Sequence, residues 1–261
     1  VFFHGEDISK YSPKQMRALR TKMQIVFQDP YSSLNPRHTA GKAIMRGLKE
    51  HRICPGKEKE RTAELFRMVG LPEEMMNRYP HEFSGGQRQR ICIARALAIE
   101  PELLICDEPI SALDVSIQSQ IINLLCRLKE ELGLTMMFIS HDLSVVRYMC
   151  DRVAVMYLGS IVEIADSEEI YTNPGHFYTK ALLSAVMCAD PDIEKERQRI
   201  ILKGDLPSPL KRIKGCAFAG RCPYRTEKCS YLEPELKEVV PGHWVACHHS
   251  QAVYEGGAHN A

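Results

Sequence analysis

The sequence has no apolar run approaching the roughly 20 residues that cross a bilayer as a helix. Its opening, Val1 to Ile8, lacks the basic start and short apolar core of a secretory signal. Charge of one sign is missing too. With 34 Lys and Arg against 33 Asp and Glu, the formal net charge is +1. Composition therefore gives no bulk electrostatic case for nucleic acid or an anionic membrane. The pattern Gly-x-x-x-x-Gly-Lys-Ser/Thr occurs nowhere in the 261 residues. That loop supplies a backbone nest and a lysine for β- and γ-phosphates. Although there are ten cysteines, no Cys-x-x-Cys pair occurs, which removes the common zinc-ribbon spacing. What remains is 44% hydrophobic and 26% charged, as in ordinary globular proteins. The length suits one large domain or two smaller ones. Without a signal, the cysteines read as reduced and cytosolic.

The chain is organised around Glu82 to Asp114. Ser84 can cap a helix, and Gly85 and Gly86 bare its first N–H groups before Gln87. Such a helix start attracts phosphate through orphan donors and the dipole. Leu103-Leu104-Ile105-Cys106 is a short apolar run suited to a buried parallel strand, and it ends in Asp107 and Glu108. In a doubly wound α/β sheet, ligands sit beyond the carboxyl ends of strands. Asp107 is thus placed to hold Mg²⁺ through water, and Glu108 to polarise an attacking water. Ser111-Ala112-Leu113-Asp114 follows.

These three motifs, in this order and spacing, resemble the nucleotide-binding subunit of an ABC transporter. Ser84 to Gln87 matches the family signature, with Phe83 where Leu is more usual. Asp107-Glu108 matches the Walker B end, and Ser111 to Asp114 the D-loop. The resemblance implies a P-loop NTPase-like ABC ATPase core, with a parallel sheet, flanking helices and a helical subdomain, plus a small irregular C-terminal extension. It also implies that Ser84, Gly85, Gly86, Gln87 and Asp114 contact ATP, and that Mg²⁺ is held by Asp107 and Gln28.

Upstream, Ser12-Pro13 opens a short helix and Met23 to Phe27 is a core strand candidate. Gln28 follows it, then a turn-rich stretch, Asp29 to Arg37. In the family this Gln is the Q-loop residue, reaching toward Mg²⁺ and the attacking water, and the loop after it meets the membrane subunit. Val26 to Arg37 is similar to the peptide and nickel importer branch. Residues 39–98 fit the helical subdomain, with breaks at Pro55-Gly56 and Gly70-Leu71-Pro72. Arg88, Arg90 and Arg95 lie on the helix behind the signature and suit ordinary surface or interdomain pairing, or support of phosphate. Asp114 to Leu132 is apolar at helical spacing until Gly133. Thr135 to Ile139 reads as a further buried strand, ending at His141. The resemblance makes His141 the H-loop residue that contacts the γ-phosphate and helps orient the catalytic water. Asp151 to Ile164 reads as a hairpin around Gly159.

The family's P-loop, and the aromatic residue that stacks on adenine, lie upstream of all this. The expectation is an N-terminally truncated sequence, Walker A absent, whose titration with nucleotide shows negligible affinity. Residues 1–165 are then the nucleotide-binding domain and 166–261 an oligopeptide-importer-type extension. Asn173-Pro174-Gly175-His176-Phe177-Tyr178-Thr179 resembles the latter, and Pro207-Ser208-Pro209 reads as a linker turn. Cys216, Cys222, Cys229 and Cys247 are spaced C-x5-C-x6-C-x17-C. Four thiolates in one segment suit an iron–sulfur cluster or Zn²⁺. Free or disulfide-linked thiols are the other reading. Members of the importer branch can carry a [4Fe–4S] cluster here.

The implied function is ATP hydrolysis powering uptake of di- or oligopeptides, or a related solute, at the cytoplasmic face of the inner membrane. The implied partners are two transmembrane permease subunits, a second ABC ATPase, indirectly a solute-binding protein, and no nucleic acid. Val115-Ser116-Ile117-Gln118 points to a hetero-pair of ATPases. The alternative is a soluble ABC ATPase acting on nucleic acid or ribosomes. It calls for a second cassette, a coiled-coil insertion or a basic face, and none is apparent. A non-catalytic partner lending only its signature is argued against by Glu108 and His141.

Overall fold

The computed structural model describes residues 1–186, 199–204 and 214–250. The Pro207-Ser208-Pro209 turn lies outside the described residues. The chain forms two compact units, Val1–His141 and Asp142 onward.

The first unit opens with a hairpin, β1 (Phe2–Phe3) and β2 (Glu6–Asp7). Helix α1 (Pro13–Lys22) starts in a full capping box between Ser12 and Gln15. It leads into β3 (Met23–Val26), and α2 (Pro30–Ser33) is a single turn capped by Asp29. Helices α3 (Ala40–Glu50), α4 (Glu58–Met68) and α5 (Gly85–Leu97) pack on one another around Ile44, Leu48, Leu65, Phe66 and Ile91, all fully buried. The breaks between them fall where Gly56 and Gly70 take positive φ. Strand β4 (Leu103–Asp107), helix α6 (Val115–Leu132) and strand β5 (Thr135–Ile139) complete the unit. Gly133 ends α6 in the left-handed conformation, φ +61°.

The sheet is parallel, in order β3-β4-β5. Its register sets Val26 beside Cys106 and Asp107 beside Ile139. All three strands therefore finish at the same end, and Gln28, Glu108 and His141 follow directly. β5 is not the buried strand its apolar run suggests. Among the described residues it is an edge strand, paired only with β4, and Thr135, Met137 and Ile139 are exposed.

The second unit holds α7 (Leu143–Met149) and the antiparallel hairpin β6 (Arg152–Tyr157) and β7 (Ser160–Asp166). Leu158 and Gly159 turn it with positive φ at both positions. Then come α8 (Ser167–Thr172), α9 (Phe177–Ser184), the short α10 (Lys228–Tyr231), β8 (Lys237–Val240) and β9 (His243–Val245). The sheet order is β6-β7-β9-β8. Because β7 pairs with β9, the hairpin belongs to the same compact unit as the tail, and the two compact units divide at 141/142. Among the described residues no helix is long and apolar enough to cross a membrane.

Glu163, fully buried on β7, holds this unit's loops together. Its Oε1 accepts from Gly175 N at 2.5 Å and pairs with His243 Nε2 at 2.6 Å. Its Oε2 accepts from His176 N at 3.0 Å and from the Thr179 hydroxyl. His243 Nδ1 lies 3.6 Å from Glu169. A buried carboxylate is tolerated because its lone pairs are taken.

Candidate functional site

Glu108 stands one residue past β4, at φ +43°, a left-handed backbone that non-glycine residues rarely adopt. Its N–H donates to the Ile139 carbonyl at 3.0 Å, and its own carbonyl accepts from Ser111 N and the Ser111 hydroxyl. The turn aims the carboxylate out from the strand ends. There Gln28 Nε2 donates to Oε2 at 2.9 Å, and His141 Nδ1 meets Oε1 at 3.2 Å. An ionised carboxylate only accepts, so Nδ1 carries the proton in this contact. Three segments, with Glu108 80 residues from Gln28 and 33 from His141, thus converge on one carboxylate. It is half-buried, with Gln28 and His141 exposed beside it. Asp107, the last residue of β4, is half-buried next to it.

Ser84 caps α5 in a capping box. Its hydroxyl accepts from Gln87 N at 3.3 Å, and Gln87 Oε1 accepts from Ser84 N at 3.0 Å. The Ser84 O–H remains a donor. The two glycines have a reason beyond baring amides. A Cβ on Gly85 would lie 3.2 Å from Leu113 Cδ2, and one on Gly86 2.4 Å from Ile117 Cγ2. The start of α5 is therefore pressed against the 111–114 loop and the start of α6. Gly86→Ala is expected to destabilise the chain by about 1–3 kcal/mol, read by urea unfolding. An equal loss in an Ile117→Ala background would show that this clash is not the cause.

Asp114 is the N-cap of α6, yet its side chain makes no capping bond. The loop is held instead by Gln118, whose Nε2 donates to Ile110 O at 3.1 Å and Leu113 O at 3.0 Å. Sequence reasoning gave Gln118 no such role. A Gln four residues past an N-cap, within reach of the loop carbonyls, was the available signal. Arg90 donates to the Val69 carbonyl at 2.7 Å and to Gln120 at 3.2 Å. Arg88, Arg90 and Arg95 all reach backbone carbonyls of other segments.

In the second unit, Cys216, Cys222, Cys229, Cys247, His248 and His249 share the lining of one cavity of about 20 Å³, room for roughly one water. Burial, then neighbouring thiols, push Cys247 up to about 11, and burial raises Cys216 and Cys222. His249 Nε2 lies 3.7 Å from Cys229 Sγ and 3.0 Å from Thr226 Oγ1. As donor chemistry the set fits a thiolate-bound metal or cluster. Among the described residues, though, no three His, Cys, Asp or Glu groups are gathered closely enough to hold an ion.

Two family profiles match: "ABC transporter" over residues 1–111, and "Oligopeptide/dipeptide transporter, C-terminal region" over residues 162–229. The oligopeptide transport ATP-binding protein AppF of Bacillus subtilis is 52% identical over 250 residues, covering 95% of this chain and 76% of its own. The chain belongs to the ABC transporter ATP-binding family. Solved structures agree. The ABC protein cbiO1 of Clostridium perfringens, part of the transporter complex cbiONQ, superposes with a TM-score of 0.59 at 31% identity, over 65% of this chain and 66% of its own. A dimeric ATP-binding cassette in a post-hydrolysis state, bound to ADP and Pi, gives 0.56 at 29%, over 64% and 72%. The fold of this ABC ATPase is thus the α/β nucleotide-binding core expected from its motifs, and its activity is ATP hydrolysis.

Proposed function

We propose that this ABC ATPase powers import of peptides. The observation that carries the catalytic part is the Glu108 carboxylate bracketed by Gln28 and His141. In this reading Glu108 polarises the attacking water, while Gln28 and His141 orient it and the γ-phosphate. Asp107, with Gln28, holds Mg²⁺, which neutralises charge on the transferring phosphoryl group. Ser84, Gly85, Gly86, Gln87 and Asp114 face the ATP bound by a second ATPase, so the working site is shared between two subunits. A hetero-pair, two permeases at the cytoplasmic face of the membrane, and a solute-binding protein complete the assembly. The match of residues 162–229 supports peptides as the solute.

The test is reconstitution with the permeases and binding protein in vesicles, using a form of the chain that carries a P-loop. ATP-dependent uptake of labelled oligopeptide, competed by unlabelled peptide, is the expected result. Turnover indifferent to peptide-loaded binding protein would overturn it.

We also propose that Cys216, Cys222, Cys229 and Cys247, which share one cavity lining but stand too far apart to hold an ion as they are, draw together on a [4Fe–4S] cluster, with Zn²⁺ as the competing occupant. Loading must displace thiol protons, so affinity should rise with pH. Anaerobically purified protein is expected to show broad visible absorption with acid-labile sulfide, both lost in a Cys216→Ser/Cys222→Ser variant. Zinc without sulfide would replace the cluster with the alternative.

A further inference from the structure

Helix α5 carries a stripe that the chemistry above leaves unused. Arg88, Cys92 and Arg95 recur at steps of four and three, so they share one face. All three reach α2, the turn that follows Gln28. The Arg88 guanidinium lies 5.4 Å from the centroid of the Tyr31 ring, within cation–π range. Cys92 Sγ is 3.8 Å from the Pro30 carbonyl oxygen, and Arg95 Nη1 donates to the Ser33 carbonyl. The turn itself is stiff. Asp29 accepts from Tyr31 N at 2.8 Å, Pro30 fixes φ, and Pro30 and Leu34 are buried. Gln28 therefore stands two residues from a rigid turn that α5 grips along its whole length. The same helix begins at Ser84.

We propose that Arg88, Cys92 and Arg95 form a latch that makes the Ser84 turn and Gln28 one moving body, and that Arg95 is a positioning residue for the Gln28–Glu108 contact. The proposal rests on the ATPase reading, because only there do Ser84 and Gln28 face two different nucleotides. Engagement of the partner's ATP at Ser84 then sets the placement of Gln28 at this chain's own Glu108, through one rigid helix and one turn.

Amide hydrogen exchange on the chain alone tests the latch without nucleotide. Arg95→Ala is expected to speed exchange over Tyr31 to Leu34, and Arg95→Lys to restore protection. Tyr31→Ala, which removes an exposed ring and no core contact, should shift exchange less but in the same direction. In the importer assembled from a P-loop-bearing form, Arg95→Ala should lower kcat by roughly tenfold to a hundredfold, with KM for ATP within about twofold. Unchanged exchange overturns the latch. Faster exchange with unchanged kcat overturns the positioning role. If the unsubstituted importer fails to hydrolyse ATP, the ATPase reading falls, while the exchange result still decides the latch.

Discussion

Glu108→Gln is expected to cut ATP turnover by the assembled importer by roughly 10²- to 10⁴-fold, the range for loss of a positioned general base. Phosphate release under saturating ATP is the measurement. The substitution keeps side-chain length and leaves an amide oxygen that still accepts from Gln28 Nε2 or His141 Nδ1, whose wild-type contacts are 2.9 and 3.2 Å. What it removes is the negative charge that, in the proposed reading, draws a proton from water. KM for ATP should therefore move far less than kcat. Gln28→Ala and His141→Ala each remove one of the two groups that fix the carboxylate, and should have smaller effects. Turnover undiminished in Glu108→Gln would mean that the base lies elsewhere.

Glu163→Ala should destabilise the second unit by about 3–5 kcal/mol, the scale for leaving several buried donors without the carboxylate that satisfied them. The carboxylate holds Gly175 N, His176 N, the Thr179 hydroxyl and His243 at once. Its removal strands four donors in a site that water does not reach. Urea unfolding followed by circular dichroism reads the loss. A change under about 1 kcal/mol would show that the loops close without this carboxylate. Acid should attack the same region. Burial holds His176 down to about 4, against a partial opposing pull from Glu163. An unfolded histidine titrates near 6.5, so below that pH the unfolded chain binds the extra proton first. The contribution of His176 is present in full above about pH 6.5 and falls away toward pH 4, by about 3 kcal/mol in all.

Local rules carried much of the architecture. Ser12-Pro13, Ser84 and Gly133 mark helix ends, and the caps form as their residue types require. Of the candidate site residues, Asp107 and Glu108 were legible from the strand end they occupy, where a parallel sheet presents its chemistry; Gln28 and His141 were singled out by the family resemblance, and all four sit at that end of the sheet. Features decided by distant partners were not legible. The fit of Gly86 against Ile117 depends on how two helices approach. The exposed face of β5 depends on which strands flank it. Lys237 to Val245 gave no strand pattern, yet β9 forms by pairing onto β7 and β8 by pairing onto β9. Glu163 was passed over as one acid in an apolar hairpin, although a lone charge in such a strand, close to Asn173-Pro174-Gly175-His176, was a usable signal.

In the proposed reading, the left-handed backbone at Glu108 sets catalysis against durability. Folding by itself favours glycine at that position, where a side chain is strained by about 1 kcal/mol or more. Glu108→Gly should accordingly melt at a higher temperature than the natural chain while turning over no nucleotide. In the proposed reading, an acid at this position stands against the preference of its own backbone because it serves the reaction and not the fold.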